Sequence, residues 1–150
     1  MLTPSQPLLG QRVGDDGGML VRVEAVPPPS SQIVRVHSTL GTVAVLWQGA
    51  PEAVGREHHV EWTVDEEIVW TVNAWPNASA APELREDGEH IIFRGQLSLF
   101  EDGGAALNVG GTPILFDLAE PSPPPEGFAD GAWVEVRVAR DRVSLWPYAP

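Results

Sequence analysis

Between residues 55 and 75 of this chain, apolar and polar side chains alternate with a period of two. This period is typical of β-strands, in which successive side chains point to opposite faces, and it disfavours an amphipathic helix. One alternating run contains Trp62, the next contains Trp70, and the acidic segment 65–67 separates them. The pattern predicts a β-hairpin that turns at this acidic segment.

The phase of the alternation also predicts which side chains of this hairpin are buried. Trp62 and Trp70 lie on the apolar phase and are predicted to anchor the core, whereas Glu61 lies on the opposite phase and is predicted to be exposed. A similar pattern recurs over residues 131–148, where a second hairpin is predicted. By the same argument, Trp146 is predicted to be a core residue.

Glycine and proline shape the remainder of the chain. There are 15 of each among 150 residues, and at this frequency they interrupt long helices and favour short strands joined by turns. Gly95 lies within the longest alternating run, where it predicts a bulge or a sharp bend. Further strands are predicted at residues 20–26, 33–37, 42–47, 91–100, 105–109 and 114–118.

The order of these runs divides the chain into two similar halves. We predict a loose N-terminal segment over residues 1–18, a first β half over 19–76, a connection over 77–88 and a second β half over 89–150, packed as one compact unit. Each half has the strand order of a five-stranded Greek-key barrel and resembles the OB type without its usual helix. The expected fold is all-β, with two tandem OB-like halves produced by an internal duplication. A single β-sandwich or a larger barrel is the alternative.

The balance of charge narrows the classes of partner. Nine arginines, no lysine and 21 acidic residues give a net charge of −12. A surface this acidic repels phosphate backbones, which proteins bind through arginine and lysine, so nucleic acid is not an expected ligand. The same charge favours a basic protein as the partner.

Residues that the chain lacks exclude several chemistries. Without cysteine it can form no disulfide, no thiolate nucleophile and no cysteine-ligated metal site. Without lysine it cannot carry out Schiff-base catalysis. The sequence contains no apolar run of membrane-spanning length and no leader pattern, so we expect a cytoplasmic protein that does not insert into a membrane.

Few residues are able to carry chemistry. His59 and Glu61 lie on one face of a predicted strand, with His58 on the other, so His59 and Glu61 are weak candidates for two ligands of a metal site. The chain has no zinc-binding spacing and no GxSxG nucleophile elbow, and its carboxylate pairs fall in predicted turns. No catalytic residue is therefore assigned, and no metal or other cofactor is expected.

Exposed tryptophans are the remaining signal for binding. Trp47, Trp75 and Trp133 lie at strand ends or on the polar phase of their strands and are predicted to be exposed. Tryptophan and arginine are enriched in the hot spots of protein interfaces. These three tryptophans and Arg137 are therefore the predicted binding residues.

The sequence favours a non-enzymatic interaction module. We expect it to bind a protein partner, with a basic protein favoured by charge, or to self-associate as a homo-oligomer. The alternative is a binder of a small molecule or saccharide, or an enzyme that acts on one, with a pocket at a barrel mouth or between the halves.

Overall fold

The computed structural model describes residues 19–26, 32–77, 79–119 and 124–148. The described residues contain no α-helix, and hence no helix long and apolar enough to cross a membrane. The N-terminal segment predicted to be loose lies outside them. The strands are β1 (Met19–Ala25), β2 (Ile33–Ser38), β3 (Gly41–Trp47), β4 (Glu57–Val64), β5 (Ala74–Pro76), β6 (Glu83–Asp87), β7 (His90–Leu99), β8 (Gly104–Val109), β9 (Thr112–Asp117), β10 (Trp133–Ala139) and β11 (Val143–Pro147), with single 3₁₀ turns at Pro51–Ala53 and Arg140–Arg142. The all-β prediction is confirmed.

Five strands close into a barrel in the order β11-β3-β2-β1-β4. All neighbours are antiparallel except β3 and β11, which are parallel. A single parallel pair in this order is the arrangement of an OB-type Greek-key barrel, so one predicted barrel is confirmed. The remaining described strands form a second sheet and not the second five-stranded barrel that was predicted. Alternate residues of each strand fill its interior; Val23, Val36 and Val43 are fully buried.

The other six strands form a second sheet in the order β9-β8-β7-β10-β5, with β6 also paired to β7. β6 and β8 lie along the same edge of β7, β6 beside its first half and β8 beside its second. Gly95 lies at the point where the neighbour of β7 changes from β6 to β8. A Cβ at this position would lie 2.2 Å from the carbonyl oxygen of Asn108, so only glycine allows β8 to approach so closely.

Neither predicted hairpin forms, because the two strands of each belong to different sheets. After β4, the chain crosses to the second sheet, where Ile68 makes a parallel bridge to Leu118 and β5 pairs with β10. After β10, the chain crosses back, and β11 inserts between β3 and β4 of the barrel. Residues 68–76 and β11 are thus two closing segments, each supplied by one half of the chain to the sheet of the other.

The two crossings lie side by side and are held together by hydrogen bonds. The backbone N–H of Asp65 donates to the carbonyl oxygen of Arg142 over 2.8 Å, and a carboxylate oxygen of Glu66 accepts from the N–H of Ala139 over 2.9 Å. The segment 65–67 has no Asn-Gly or Asp-Gly pair to make a tight hairpin turn. Its acidic residues therefore join two crossings instead of closing one hairpin.

Two further segments differ from their predictions. Residues 69–73 form a turn and not a strand: the side-chain oxygen of Asn73 accepts from the N–H of Val69 over 2.8 Å, and Thr71 has a φ of 67°. Within the predicted connection 77–88, the structure contains β6, which pairs with β7. Leu84 is the one large apolar residue of this connection, and the residues next to it are charged. This composition does not show the alternation of a strand, although Leu84 is fully buried.

The barrel and the second sheet share one core. The ring of Trp62 packs edge-on against Phe93, with centroids 5.6 Å apart, and Phe93 packs in the same way on Phe116. Trp62 is 5% exposed and Glu61 is on the surface, as predicted. Trp70 is partly buried, with its ring centroid 4.4 Å from that of Phe128.

Two tryptophans have the opposite environment to the one predicted. Trp146 is 45% exposed, because β11 enters the barrel with Val143 and Leu145 on the inward phase. Trp47 is 5% exposed, and its indole N–H donates to the carbonyl oxygen of Ala50 over 3.1 Å. The loop after β3 covers this strand end and removes it from solvent.

Gly41 begins the third strand of the first half, and Gly111 directly precedes the third strand of the second half. These two glycines provide a matched test of the contact between barrel and sheet. At Gly41, a Cβ would lie 1.8 Å from the carbonyl oxygen of Leu84 in β6, whereas at Gly111 it would meet nothing within 4 Å; φ is positive at both. Gly111→Ala should cost about 1 kcal/mol of backbone strain, and Gly41→Ala should cost about 1–3 kcal/mol more from overpacking. Denaturant melts measure both; equal losses would contradict the contact.

Candidate functional site

β9 forms an edge of the second sheet, and part of its backbone has no partner in the described part of the chain. The N–H of Ile68 donates to the carbonyl oxygen of Asp117 over 2.8 Å, on the side away from β8. Because backbone groups alternate in direction along a strand, the N–H and carbonyl of Leu115 face the same side. Within the described part of the chain, β8 is the only strand paired with β9, so Leu115 leaves both groups open.

A cleft of about 390 Å³ separates this edge from β4. β4 is paired with β11 up to Val64, but on its other edge the described part of β1 begins only opposite Val60. The β4–β9 cleft therefore lies where neither strand has a neighbour on that side among the described residues. Its lining consists of Val60, Glu61, Trp62, Thr63, Val64, Thr112, Pro113, Leu115, Phe116, Asp117 and Tyr148.

The charge around the β4–β9 cleft is negative and largely uncompensated. Glu61 and Asp117 line the cleft itself, and Asp117 also lines an adjoining depression with Glu67. All three are exposed, and among the described residues none makes an ion pair. Arg142 lines the same depression, where its guanidinium lies 3.9 Å from the carboxylate of Asp65. A cationic group in the cleft would therefore meet free carboxylates.

Large apolar side chains are exposed beside these carboxylates. Leu115 is 63% exposed and Tyr148 40%. Trp146 lies directly opposite Glu61 in the ladder of β4 and β11, with Leu20 and His59 one row further along. The cleft therefore combines apolar contact surface with negative charge, the composition of an interaction surface for a basic, partly apolar segment.

Three of the four predicted binding residues share another surface, the outer face of the second sheet. Trp133 and Arg137 lie on one phase of β10, and Trp75 of β5 lies opposite Glu135 between them. Trp75 is 38% exposed and Trp133 is half-buried. Trp47 lies in the barrel core and is not part of this face.

Ion pairs neutralise the charge on that face. The guanidinium groups of Arg85 and Arg94 both contact the carboxylates of Glu83 and Glu135, and Arg137 lies 3.2 Å from Asp87. Partial burial lowers the pKa of Arg85, but the hydrogen bonds and charges of Glu135 and Glu83 outweigh this and raise it above its ordinary value. The face offers flat aromatic surface without net charge.

The histidines weighed as metal ligands have separate environments. His58 is half-buried, its ring nitrogen 2.6 Å from the carbonyl oxygen of Ala53, and its ring centroid lies 5.7 Å from that of Trp47. His59 and Glu61 are exposed on the outer face of β4. Across the described ranges, no three His, Asp or Glu side chains are grouped so as to hold a metal ion.

Comparison with known proteins identifies no relative. No family model, curated protein or solved structure matches the chain.

The sequence contains one signal for the cleft that the pattern analysis missed. Pro113 lies within a strand, and proline cannot donate to a ladder, so a strand that contains it is expected at a sheet edge. The open edge of β9 follows from that residue. The opposing wall could not be deduced in this way, because it depends on the register between β1 and β4.

Proposed function

We propose that this protein is a non-enzymatic interaction module that binds a basic segment of a partner protein in the β4–β9 cleft. The observation that carries the proposal is the juxtaposition of unpaired carboxylates, Glu61 and Asp117, with the exposed side chains of Leu115 and Tyr148. Apolar contact supplies affinity, and complementary charge selects the partner and accelerates encounter. The net charge of −12 acts in the same direction at longer range.

The same negative charge disfavours nucleic acid as a ligand. A phosphate backbone in the cleft would face Glu61, Glu67 and Asp117, and none of these is neutralised by an ion pair among the described residues. We propose that the interaction takes place in the cytoplasm. A chain without cysteine forms no disulfide, so it needs no oxidising compartment to reach its native state.

A binding assay with labelled peptides tests the proposal. An arginine-rich peptide should bind, and an acidic peptide of the same length and a single-stranded oligonucleotide should not, at about 0.15 M salt. The double variant Glu61→Gln, Asp117→Asn should weaken binding about threefold to tenfold, since each exposed charge contact contributes up to about 1 kcal/mol.

A matched pair of charge changes elsewhere provides the control. Glu89 and Asp141 are exposed carboxylates that line a different depression, near β2 and the second 3₁₀ turn. Glu89→Gln, Asp141→Asn alters the net charge by the same amount and should leave affinity within about twofold. An equal loss in both double variants would show that net charge alone attracts the peptide, and it would refute the cleft as the site.

A second candidate function is supported by the outer face of the second sheet. Trp75 and Trp133 lie one row apart there, with Gln96 directly opposite Trp133. Indole rings next to polar groups suit a neutral saccharide. Glycan binding that is lost in Trp75→Ala and retained in the cleft double variant would favour this alternative.

We also infer that the two halves arose by internal duplication. In each, the third strand or the residue directly after it makes a parallel contact with a closing segment: β3 with β11, and Leu118, just after β9, with Ile68. A glycine with positive φ stands at the start of each third strand: Gly41 is the first residue of β3, and Gly111 directly precedes β9. The repeated order supports duplication more directly than the similarity of two valine-rich runs.

A further inference from the structure

We propose that the basic segment binds as an additional β-strand on the open edge of β9. This inference rests on the proposed function and specifies how the same cleft recognises its ligand. The carbonyl of Pro113, the N–H and carbonyl of Leu115 and the N–H of Asp117 lie on the phase of β9 that faces away from β8. An extended segment satisfies such a row with backbone hydrogen bonds, a recurring mode of peptide recognition.

The side chains of β9 specify the pattern of the ligand. In a strand pair, residues directly opposite one another form the contacts that stabilise the pairing. The exposed Leu115 favours an apolar ligand residue opposite it. Asp117, which is exposed and makes no ion pair among the described residues, favours arginine or lysine two positions along the ligand from that apolar residue. Glu61, on the other wall, favours a second basic residue. The ligand is therefore an extended segment in which basic and apolar side chains share one face.

The neighbouring structure limits the length of the added strand. Ile68 already occupies the edge at Leu118, through its hydrogen bonds with Asp117 and Ala119. The open run therefore covers residues 113–117, about 17 Å of strand. A cleft of about 390 Å³ holds the central residues of such a segment, and the remainder extends into solvent.

Methylation of the peptide backbone tests the added strand without changing the protein. The probe is a blocked peptide of about nine residues in which arginine and valine alternate with threonine. Two versions carry N-methyl groups on every second residue, in opposite phases. Because alternate N–H groups of an added strand point toward β9, one phase should lose affinity about tenfold or more. The other phase should retain affinity within about threefold.

Amide hydrogen exchange provides a second readout on the protein itself. On binding, the N–H of Leu115 should become protected, whereas that of Ile114, which faces β8, should already be protected in the free protein. Leu115→Pro removes the donor and should abolish binding. If this variant fails to fold, the methylated peptides and the exchange data still decide the question.

The outcomes separate this inference from the proposed function. No binding of the unmodified peptide would overturn both. Equal affinities of the two methylated peptides, with the cleft double variant still weakened, would overturn the added strand alone. A dimer that is dissociated by Leu115→Lys, or tighter peptide binding by a chain that lacks residues 1–18, would show that a second copy or the chain's own N-terminal segment occupies the edge, and either would also overturn it.

Discussion

Deletion of residues 143–150 is expected to unfold the whole protein and not only its C-terminal end. These residues include β11, which fills the gap between β3 and β4 and buries Val143 and Leu145 completely. Its loss opens the barrel and exposes an apolar interior that is continuous with the core of the second sheet. Two fully buried aliphatic side chains and a strand that pairs on both edges contribute several kcal/mol, a large part of the stability of a domain this size.

Loss of the near-ultraviolet circular dichroism signal and of a cooperative melt would confirm that expectation. Addition of a synthetic peptide spanning residues 143–150 should restore both, because β3 and β4 still carry the edges that pair with β11. A truncated chain that still melts cooperatively would contradict the shared core, since it would show that the second sheet is stable alone.

Trp62→Ala is the substitution with the largest expected effect among single residues. Its ring lies in the barrel and packs against Phe93 of the second sheet, so its removal leaves a cavity at the junction of the two. A loss of about 3–5 kcal/mol is expected. Glu61→Ala, the adjacent residue on the outer face, should change stability by no more than about 0.5 kcal/mol.

Trp62→Phe distinguishes the ring from its polar group. The indole N–H of Trp62 is buried without an acceptor among the described residues, and an unmet donor of this kind is destabilising. Phenylalanine keeps most of the contact with Phe93 and removes the donor, so this variant should lose much less than the alanine variant. Denaturant melts of the three variants measure the differences. Equal losses for alanine and phenylalanine would contradict the expectation, because they would mean that the N–H stabilises the fold.

The sequence allowed the faces of most strands to be predicted, because alternation is a local property. Val23, Val36 and Val43 are inside the barrel, as the period-two pattern requires. The environments of Trp47 and Trp146 were predicted wrongly for two different reasons. The loop after β3 covers the first, and the insertion of β11 between two distant strands determines the phase of the second.

Strand pairing could not be predicted from the same pattern. Alternation specifies which face of a strand is buried but not which strand lies beside it. Residues 68–76 and β11 each follow a strand that looks like a hairpin partner, yet both cross to the other sheet. The hydrogen bonds of Asp65 and Glu66 that hold the crossings join positions more than 70 residues apart. The β4–β9 cleft lies between a barrel strand and a strand of the second sheet, so it could not be predicted from alternation either.

The exchange of closing segments has a consequence for synthesis of the chain. Translation proceeds from the N-terminus, and here β1 to β4 emerge before β11, as four strands of a five-stranded barrel. The fifth strand, β11, is the last of the described strands to be translated. The nascent chain therefore presents the gap between β3 and β4, with its unpaired edges and valine-rich interior, throughout translation of the second half. We therefore expect any dependence on chaperones to arise from aggregation of the nascent chain during that interval and not from low stability of the finished fold.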